Sequence, residues 1–262
     1  MATAFDIVAF LEQQVGHPLH SDEGLQHGQG DRDARRALVC WMATKDALRR
    51  AADAGAGIVI GHESLYYPYD AVNRPDAPEG WQDWQVNRAR RELLDACGAA
   101  FLRLHGSLDQ FCIFDVFAER LGLAAPVEAD GLAKVYRIEP CTLGELAERV
   151  KARMGMEHVR VSAPQGLGQV VSRIGLPWGG LGLFTNVAYQ QELLAMGCDA
   201  LVAGEACSYG FRFSAECGVP MIETSHEGSE NPGLRRFCGI LSERFPELDV
   251  EFFQVRRPWQ WH

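Results

Sequence analysis

Three histidines and several carboxylates follow apolar segments of the kind that form buried strands. His62 and Glu63 come directly after GIVIG, His105 follows AFLRL, Glu205 follows LVAG, and His226 follows MIETS. Ligand sites of α/β proteins lie beyond the carboxyl ends of the strands, so these side chains are expected to share a site. Imidazole and carboxylate ligands together suit zinc, manganese, iron, cobalt or nickel.

Two of the histidines are followed four residues later by a carboxylate, in His105-Gly-Ser-Leu-Asp109 and His226-Glu-Gly-Ser-Glu230. A short turn after a strand could point both members of each pair at one ion. The number of ligands exceeds what one ion takes, which favours two divalent ions about 3.5–4 Å apart, bridged by Asp109 or Glu230. The second ring nitrogen of a ligand histidine must also be held, and the candidates are Glu205, Glu223, Glu227 or a backbone carbonyl.

Each of these residues also has a purely structural interpretation. His62 alone could be a satisfied histidine at a strand end. Asp109 could be an acid favoured by the dipole at a helix N-terminus, and Glu230 could do the same for a helix begun by Asn231-Pro232. Only their convergence favours a metal site. The remaining histidines lie in turn-like or terminal segments and are predicted not to be ligands: His17, His20, His27, His158 and His262.

Helical and strand patterns alternate along the whole chain. In the first half, helices are predicted over 5–15, 44–55, 84–98 and 107–122, and strands over 34–43, 57–62 and 99–105. In the second half, helices are predicted over 142–154, 186–196 and 207–217 and up to about 244, and strands over 157–162, 168–174, 200–205, 220–224 and 249–255. This alternation predicts an α/β fold with mainly parallel or mixed sheets. We predict a first lobe over 1–125 and a second over 126–262, whose C-terminal part could return to the first lobe.

The segment 63–84 has no sustained period and contains three prolines, so it is predicted to be a long loop. Loops of this length often form lids or binding surfaces. Four aromatic side chains in it could stack on a planar or sugar substrate, or could instead pack a lobe interface or a subunit contact: Tyr66, Tyr67, Trp81 and Trp84.

Composition narrows the class of protein. The net charge of −10 and pI near 5.3 disfavour binding to a nucleic-acid backbone. No apolar run reaches the roughly 20 residues that span a bilayer, and Asp6 interrupts the apolar N-terminal segment, so neither a membrane span nor a secretion signal is expected. The eight cysteines are scattered singly, as reduced core thiols would be. We therefore expect a cytoplasmic protein with a small-molecule substrate.

Four motifs, in order along nearly the whole chain, resemble the Nif-three-like family, often labelled GTP cyclohydrolase I type two homologues. They are Asp22-Glu23-Gly24-Leu25-Gln26, GAGIVIGHESLYYP, NRARRELLDACGAAFLRLHGSLD and VAGEACSYGF followed by GVPMIETSHEGSENPGL. The resemblance implies a dinuclear metal centre in the cleft between two similar α/β lobes, and a hexameric ring made of dimers. It also implies that His62, Asp109, His226 and Glu230 are ligands, that Glu230 is the bridge, and that His105 lines the centre.

The chain departs from the family pattern at one position. Where the family has His-His-Pro, this chain has His62-Glu63-Ser64. Glu63 could be a carboxylate ligand in place of imidazole, which would favour manganese or iron, or it could be a general base or a surface residue. Adjacent strand residues point to opposite faces, so His62 and Glu63 can serve one centre only if the strand has already ended. Arg88 stands where the family has an arginine. It could contact an anionic substrate, or it could simply lie on a solvated helix face.

The leading hypothesis is a metal-dependent hydrolase acting on a phosphoester or amide-like bond. Two cations would activate water for attack, with His105 as the proton-transfer group and Glu63 as a second catalytic candidate. One alternative is opening of a guanine ring, although no P-loop or comparable nucleotide motif supports GTP. Another is a non-catalytic metal-binding or partner-recruiting ring. The substrate could be phosphorylated or nucleotide-like, and a homo-oligomer is expected from the resemblance.

Overall fold

The computed structural model describes residues 2–259; Met1 and residues 260–262, with His262 among them, lie outside the described residues. The chain divides into two compact units. The first unit is formed by the chain up to Cys112 and from Leu234 onward, and the second by Ile113–Gly233. The boundary predicted from the sequence lies between 125 and 126, in a segment with several turn residues. A division at 112–113 falls inside a helical segment, where no turn residue marks it.

The elements follow the predicted alternation. The helices are α1 Ala4–Val15, α2 Lys45–Ala54, α3 Gln85–Cys97, α4 Gly106–Leu108, α5 Phe114–Leu121, α6 Leu143–Met154, α7 Val187–Ala195, α8 Ser208–Glu216 and α9 His226–Arg244. The strands are β1 Gly24–His27, β2 Arg36–Cys40, β3 Ile58–Gly61, β4 Ala100–Arg103, β5 Glu128–Asp130, β6 Ala133–Thr142, β7 Arg160–Ser162, β8 Val170–Gly175, β9 Ala200–Ala203, β10 Met221–Glu223 and β11 Asp249–Phe253. A π-helical turn, Asp109–Ile113, joins α4 to α5.

The first unit contains a five-stranded sheet in the order β1-β4-β3-β2-β11. The four strands from β4 to β11 are parallel, and β1 is antiparallel to β4. Buried apolar side chains of the sheet, such as Val59 and Phe101, pack with Leu48 of α2 and Leu94 of α3 in one hydrophobic core. The predicted strands and helices of this half are therefore present.

Both ends of the chain contribute strands to this sheet. The sequence pattern did not predict β1, which pairs Gly24 with Arg103 and so brings the preceding residues to the end of β4. The C-terminal strand β11 lies parallel to β2, with Phe253 opposite Cys40. The C-terminal segment thus completes the sheet of the first unit.

The second unit contains a six-stranded sheet in the order β5-β6-β8-β9-β10-β7. Its central strands β8, β9 and β10 are parallel, whereas β5, β6 and β7 join in antiparallel pairs. Leu201, Met221 and Leu193 are fully buried in its core. The predicted α/β class with mixed sheets is confirmed.

The helix after β10 begins earlier than the alternative interpretation of Glu230 required. Instead of starting at Asn231-Pro232, α9 starts at His226 and contains Pro232 in its interior. Ser225 caps it, because its Oγ accepts a hydrogen bond of 3.0 Å from the Gly228 amide. Glu230 therefore lies one turn into the helix.

Among the described residues, no helix is long and apolar enough to cross a membrane.

Candidate metal centre

His62 follows β3 directly and is completely buried. Its Nδ1 lies 2.9 Å from the carbonyl oxygen of Leu104. A carbonyl only accepts hydrogen bonds, so Nδ1 carries the hydrogen and Nε2 of the neutral ring carries the lone pair. That Nε2 lies 3.7 Å from Oδ1 of Asp109. The ring thus directs Nε2, the nitrogen that could bind a metal, toward the carboxylate of Asp109.

His62, Glu63 and His105 form a cluster at the carboxyl ends of β3 and β4. Each offers one ligand atom, and the three atoms lie within 4.8 Å of one another. Because β3 ends at Gly61, the chain has left the strand before His62 and Glu63, which meets the condition for both to face one centre. Glu63 is only 4% exposed, so it is not a surface residue.

The acidic pair Asp22-Glu23, just before β1, fixes the position of His105. Oδ2 of Asp22 accepts a hydrogen bond of 2.8 Å from Nδ1 of His105, and this bond lowers the pKa of Asp22 to about 2. The Glu23 carboxylate accepts hydrogen bonds from the backbone amides of His105 and Ser107 and from the Ser107 hydroxyl. Asp22 and Glu23, which belong to the first of the four family motifs, therefore orient His105 in the candidate site.

Arg103 is the fully buried cation beneath this cluster. Its Nη1 donates to the Asp22 carbonyl and to Oδ1 of Asp70, both at 3.1 Å, and its Nη2 donates to the Tyr69 hydroxyl at 2.8 Å. The Tyr69 hydroxyl in turn lies 3.5 Å from Nε2 of His105. Sequence reasoning missed Arg103 and Tyr69. A charged residue inside the apolar strand AFLR was the signal that could have revealed the arginine.

The second unit carries a matching arrangement at the ends of its adjacent strands β9 and β10. Nδ1 of His226 lies 3.0 Å from Oε2 of Glu205, and its Nε2 lies 3.3 Å from Oε1 of Glu230. Glu205, one of the residues proposed to hold the second ring nitrogen of a histidine, thus contacts His226, and the role of His226 as a ligand stays a prediction. Glu223 instead pairs with Arg160.

A glycine-rich turn after β8 packs against this pair. The Gly179 amide donates to the Ser229 hydroxyl at 2.9 Å, and the residue has a φ of +50°. A Cβ at Gly179 would overlap Oε1 of Glu230, and one at Gly180 would lie 3.2 Å from Cε1 of His226. Glycine is required because the backbone passes where side chains would displace Glu230.

The predicted substrate-binding residues have different environments. Tyr66 is 7% exposed and belongs to the hydrophobic core of the first unit, so its ring is closed to a solute in this conformation. Tyr67 is 40% exposed, and Arg88 lies on the exposed side of α3. Their roles in binding a substrate stay predictions.

The long loop that carries these tyrosines is tied to α3. The buried Asn87 side chain donates to the carbonyls of Tyr67 and Trp81, at 2.6 and 2.8 Å, and accepts from the Tyr67 amide at 2.9 Å. The guanidinium of Arg90 donates to the Leu65 carbonyl and lies 4.8 Å from the centre of the Tyr67 ring. The loop is thus a fixed structure with a buried polar anchor.

The donor groups fit divalent metal ions of intermediate hardness. Three histidines have Nδ1 held by an oxygen, as ligand histidines require, and the neighbouring donors are carboxylates. The ligand groups found among the described residues contain no cysteine. This combination of imidazole and carboxylate donors suits zinc, manganese, iron, cobalt or nickel.

Comparison with known proteins gives one consistent family. The family model of DUF34/NIF3 (NGG1p interacting factor 3) matches residues 6–258. A NIF3 homologue of Schizosaccharomyces pombe is 26% identical over 126 residues, which are 47% of this chain and 42% of that protein. The match therefore spans less than half the length of that relative. A GTP cyclohydrolase 1 type 2 homologue of Lactococcus lactis is 23% identical over 212 residues, 78% of this chain and 76% of that one.

The fold has solved counterparts as well. A Bacillus cereus protein related to NIF3 superposes with a TM-score of 0.80 and 15% identity, covering 100% of this chain and 99% of that chain. At this identity the likeness establishes the fold alone. The match of the family model over nearly the whole sequence establishes the relationship. The chain belongs to the DUF34/NIF3 family.

Proposed function

We propose that this protein binds two divalent metal ions and hydrolyses a phosphoester or amide-like bond of a small molecule. The metal ligands are His62, Glu63, Asp109, His226 and Glu230. The observation that carries the proposal is the shared orientation of His62, His105 and His226, in each of which an oxygen acceptor holds Nδ1. Such outer contacts fix the tautomer and the ring direction of metal-bound histidines.

When bound, the ions would supply Lewis-acid polarisation and lower the pKa of water toward neutrality. The chain supplies the proton-handling groups. His105 accepts or releases a proton at Nε2, because Asp22 holds its Nδ1 and compensates the charge that develops. The Tyr69 hydroxyl, fixed by Arg103, lies beside that nitrogen and can contact a polar substrate group. Glu63, in the same cluster, serves as a ligand or as a second base.

A second candidate is opening of a guanine ring, which the names of two relatives favour. The two reactions differ in what they consume. Ring opening consumes a guanine nucleotide and one water, which adds across a C–N bond of the ring, whereas the hydrolase needs water and a scissile ester or amide bond. A protein that binds metal but turns over neither class of substrate would be the metal-binding, partner-recruiting ring of the third hypothesis.

Metal content tests the first part of the proposal. The protein is purified without chelator, and zinc, manganese, iron, cobalt and nickel are measured by inductively coupled plasma mass spectrometry. We expect two ions per chain, and fewer in Asp109→Asn. The matched control is Asp115→Asn, an exposed acid six residues later that pairs with Lys134. A content well below one ion per chain in the unmodified protein contradicts the proposal.

Turnover tests the second part. The metal-loaded protein is screened against phosphomonoesters, phosphodiesters, nucleotides including GTP, and small amides. We expect hydrolysis that depends on Asp109 and His105 and survives Asp115→Asn. Turnover of GTP alone, with loss of the guanine ring absorbance, supports the ring-opening candidate. Full metal occupancy without any turnover that depends on Asp109 rules out the hydrolase.

A further inference from the structure

The second unit contains a cavity that is separate from the candidate metal ligands. Its volume is about 260 Å³, and its lining includes Ile138, Leu146, Ile174 and Val202 together with the end of α5 at Leu121. Leu146, Ile174 and Val202 are buried, so the cavity reaches from the surface to the face of the sheet that α6 covers. Its inner wall is therefore apolar.

The mouth of the cavity is cationic. Helix α6 places Leu146, Arg149, Val150 and Arg153 along it, at the spacing that puts four side chains on one helical face. The guanidinium of Arg153 lies over the backbone of Gly122, where a Cβ would stand 3.1 Å from Cζ. The two exposed arginines thus flank the opening to an apolar interior.

Neither guanidinium forms an ion pair or a side-chain hydrogen bond with another residue of the described range 2–259, and Arg149 has an electrostatic interaction with Glu145, one helical turn earlier. The full sequence has 35 acidic and 25 basic side chains, so carboxylates outnumber the cations. Two adjacent guanidinium groups can bind one carboxylate with several charge-assisted hydrogen bonds.

We propose that this cavity binds a medium-chain carboxylic acid, with the carboxylate between Arg149 and Arg153 and the alkyl chain against Leu146, Ile174 and Val202. At about 30 Å³ for each water-sized group, the space holds roughly eight to ten carbon atoms. Burial of the alkyl chain supplies most of the affinity, because each buried methylene contributes about 0.8 kcal/mol. The arginines select the acid over a neutral or cationic amphiphile.

Isothermal titration calorimetry of the full chain with decanoate tests the proposal. We expect one site per chain, with affinity that rises from butyrate to decanoate and stops rising at tetradecanoate, whose tail exceeds the cavity. The double variant R149Q/R153Q should lose on the order of tenfold to hundredfold in affinity. Arg120→Gln, an exposed arginine in the last turn of the neighbouring helix α5, is the matched control and should bind like the unmodified protein.

Three further measurements make the outcome decisive. Decyltrimethylammonium has the same tail and the opposite charge, so equal binding of this cation overturns the proposal. Loss of decanoate binding in the presence of EDTA would assign the carboxylate to bound metal and also overturns it. Circular dichroism establishes that R149Q/R153Q is folded. Unchanged decanoate binding by the folded double variant, or no binding by the unmodified protein, rules the site out.

Discussion

Asp22 and His105 are joined by a hydrogen bond of 2.8 Å between Oδ2 and Nδ1, across 83 residues of sequence. The same carboxylate lies 3.3 Å from Nη1 of the fully buried Arg103. One acid thus orients the candidate proton-transfer group and compensates the charge of the buried arginine. The candidate site of the first unit therefore depends on a residue that precedes the first strand.

Asp22→Asn should destabilise the first unit, because Asp70 would then be the one carboxylate left in ion-pair contact with Arg103 among the described residues. We expect the free energy of unfolding to fall by about 1.5 to 3 kcal/mol, the range for hydrogen bonds to charged groups. Urea denaturation followed by circular dichroism measures it. Asp46→Asn, which removes an exposed acid on α2, is the control. Equal midpoints for the two variants would contradict the role of Asp22.

Glu205→Gln should reduce metal affinity without unfolding the second unit. The amide can still contact Nδ1 of His226, but it no longer fixes the tautomer by charge. Loss of such an outer contact lowers metal affinity by about 10-fold to 100-fold. Competition titration with a zinc-binding dye measures the change. Glu216→Gln, on the exposed side of α8, should bind zinc like the unmodified protein, and a shared loss in both variants would point to a nonspecific effect.

Gly179→Ala should lower the metal content of the protein, because the new Cβ would occupy the space of Oε1 of Glu230. The positive φ adds a backbone cost of about 1 kcal/mol. Gly155→Ala is a matched control, since Gly155 has a φ of +66° but nothing within 4 Å of its Cβ position. Both variants should lower the thermal midpoint, and only Gly179→Ala should lower metal content. Normal metal content in a folded Gly179→Ala would show that Glu230 is not needed.

Asn87→Ala should release the long loop from α3. The variant leaves the Tyr67 amide and the carbonyls of Tyr67 and Trp81 without the buried Asn87 side chain. We expect a loss of about 2 kcal/mol or more in unfolding free energy, together with faster proteolysis between residues 67 and 84. Arg88→Ala changes the exposed neighbour and should alter neither. Slow proteolysis of Asn87→Ala would show that other contacts hold the loop.

The capping box at the start of α6 predicts that the stability of the protein depends on pH. Glu145 accepts hydrogen bonds from the Thr142 backbone amide and hydroxyl, and these bonds lower its pKa from the ordinary 4.5. Because the pKa of Glu145 is lower in the folded state, its ionised carboxylate stabilises the fold above pH 4.5. This contribution is lost as the pH falls and the carboxylate is protonated. Thr142→Ala removes the capping box, so its thermal midpoint should lie below that of the unmodified protein at pH 7. The gap should narrow toward pH 3; a constant gap would mean that Glu145 takes no part.

The fold and the candidate metal ligands could be predicted from local sequence patterns. Buried apolar strands followed by His62 or His226, and helices with clear caps such as Thr44 and Thr142, carry their information within a few residues. The missed strand β1 is four residues long and only partly buried, so it has no strong period. Its importance comes from pairing with β4, far along the chain.

The supporting contacts could not be predicted because they are long-range. Nothing near Arg103 in sequence indicates that Asp70 and Tyr69 will meet it. The tyrosines of the loop show the same limit. Tyr66 and Tyr67 are adjacent and chemically identical, yet the fold buries one in the core and leaves the other partly exposed. Residue type indicated the chemistry, and only tertiary packing distinguished the two positions.

The pairing of β11 with β2 has a consequence for synthesis. The first sheet needs residues 249–253 beside residues 36–40, so it is not complete until the ribosome has made residue 253. The second unit is one continuous stretch, Ile113–Gly233, and can close while the last strand is still being translated. We expect nascent chains that stop before residue 249 to protect the second unit from protease while the first remains open. A truncation that removes β11 would then produce a half-folded protein rather than a shortened one.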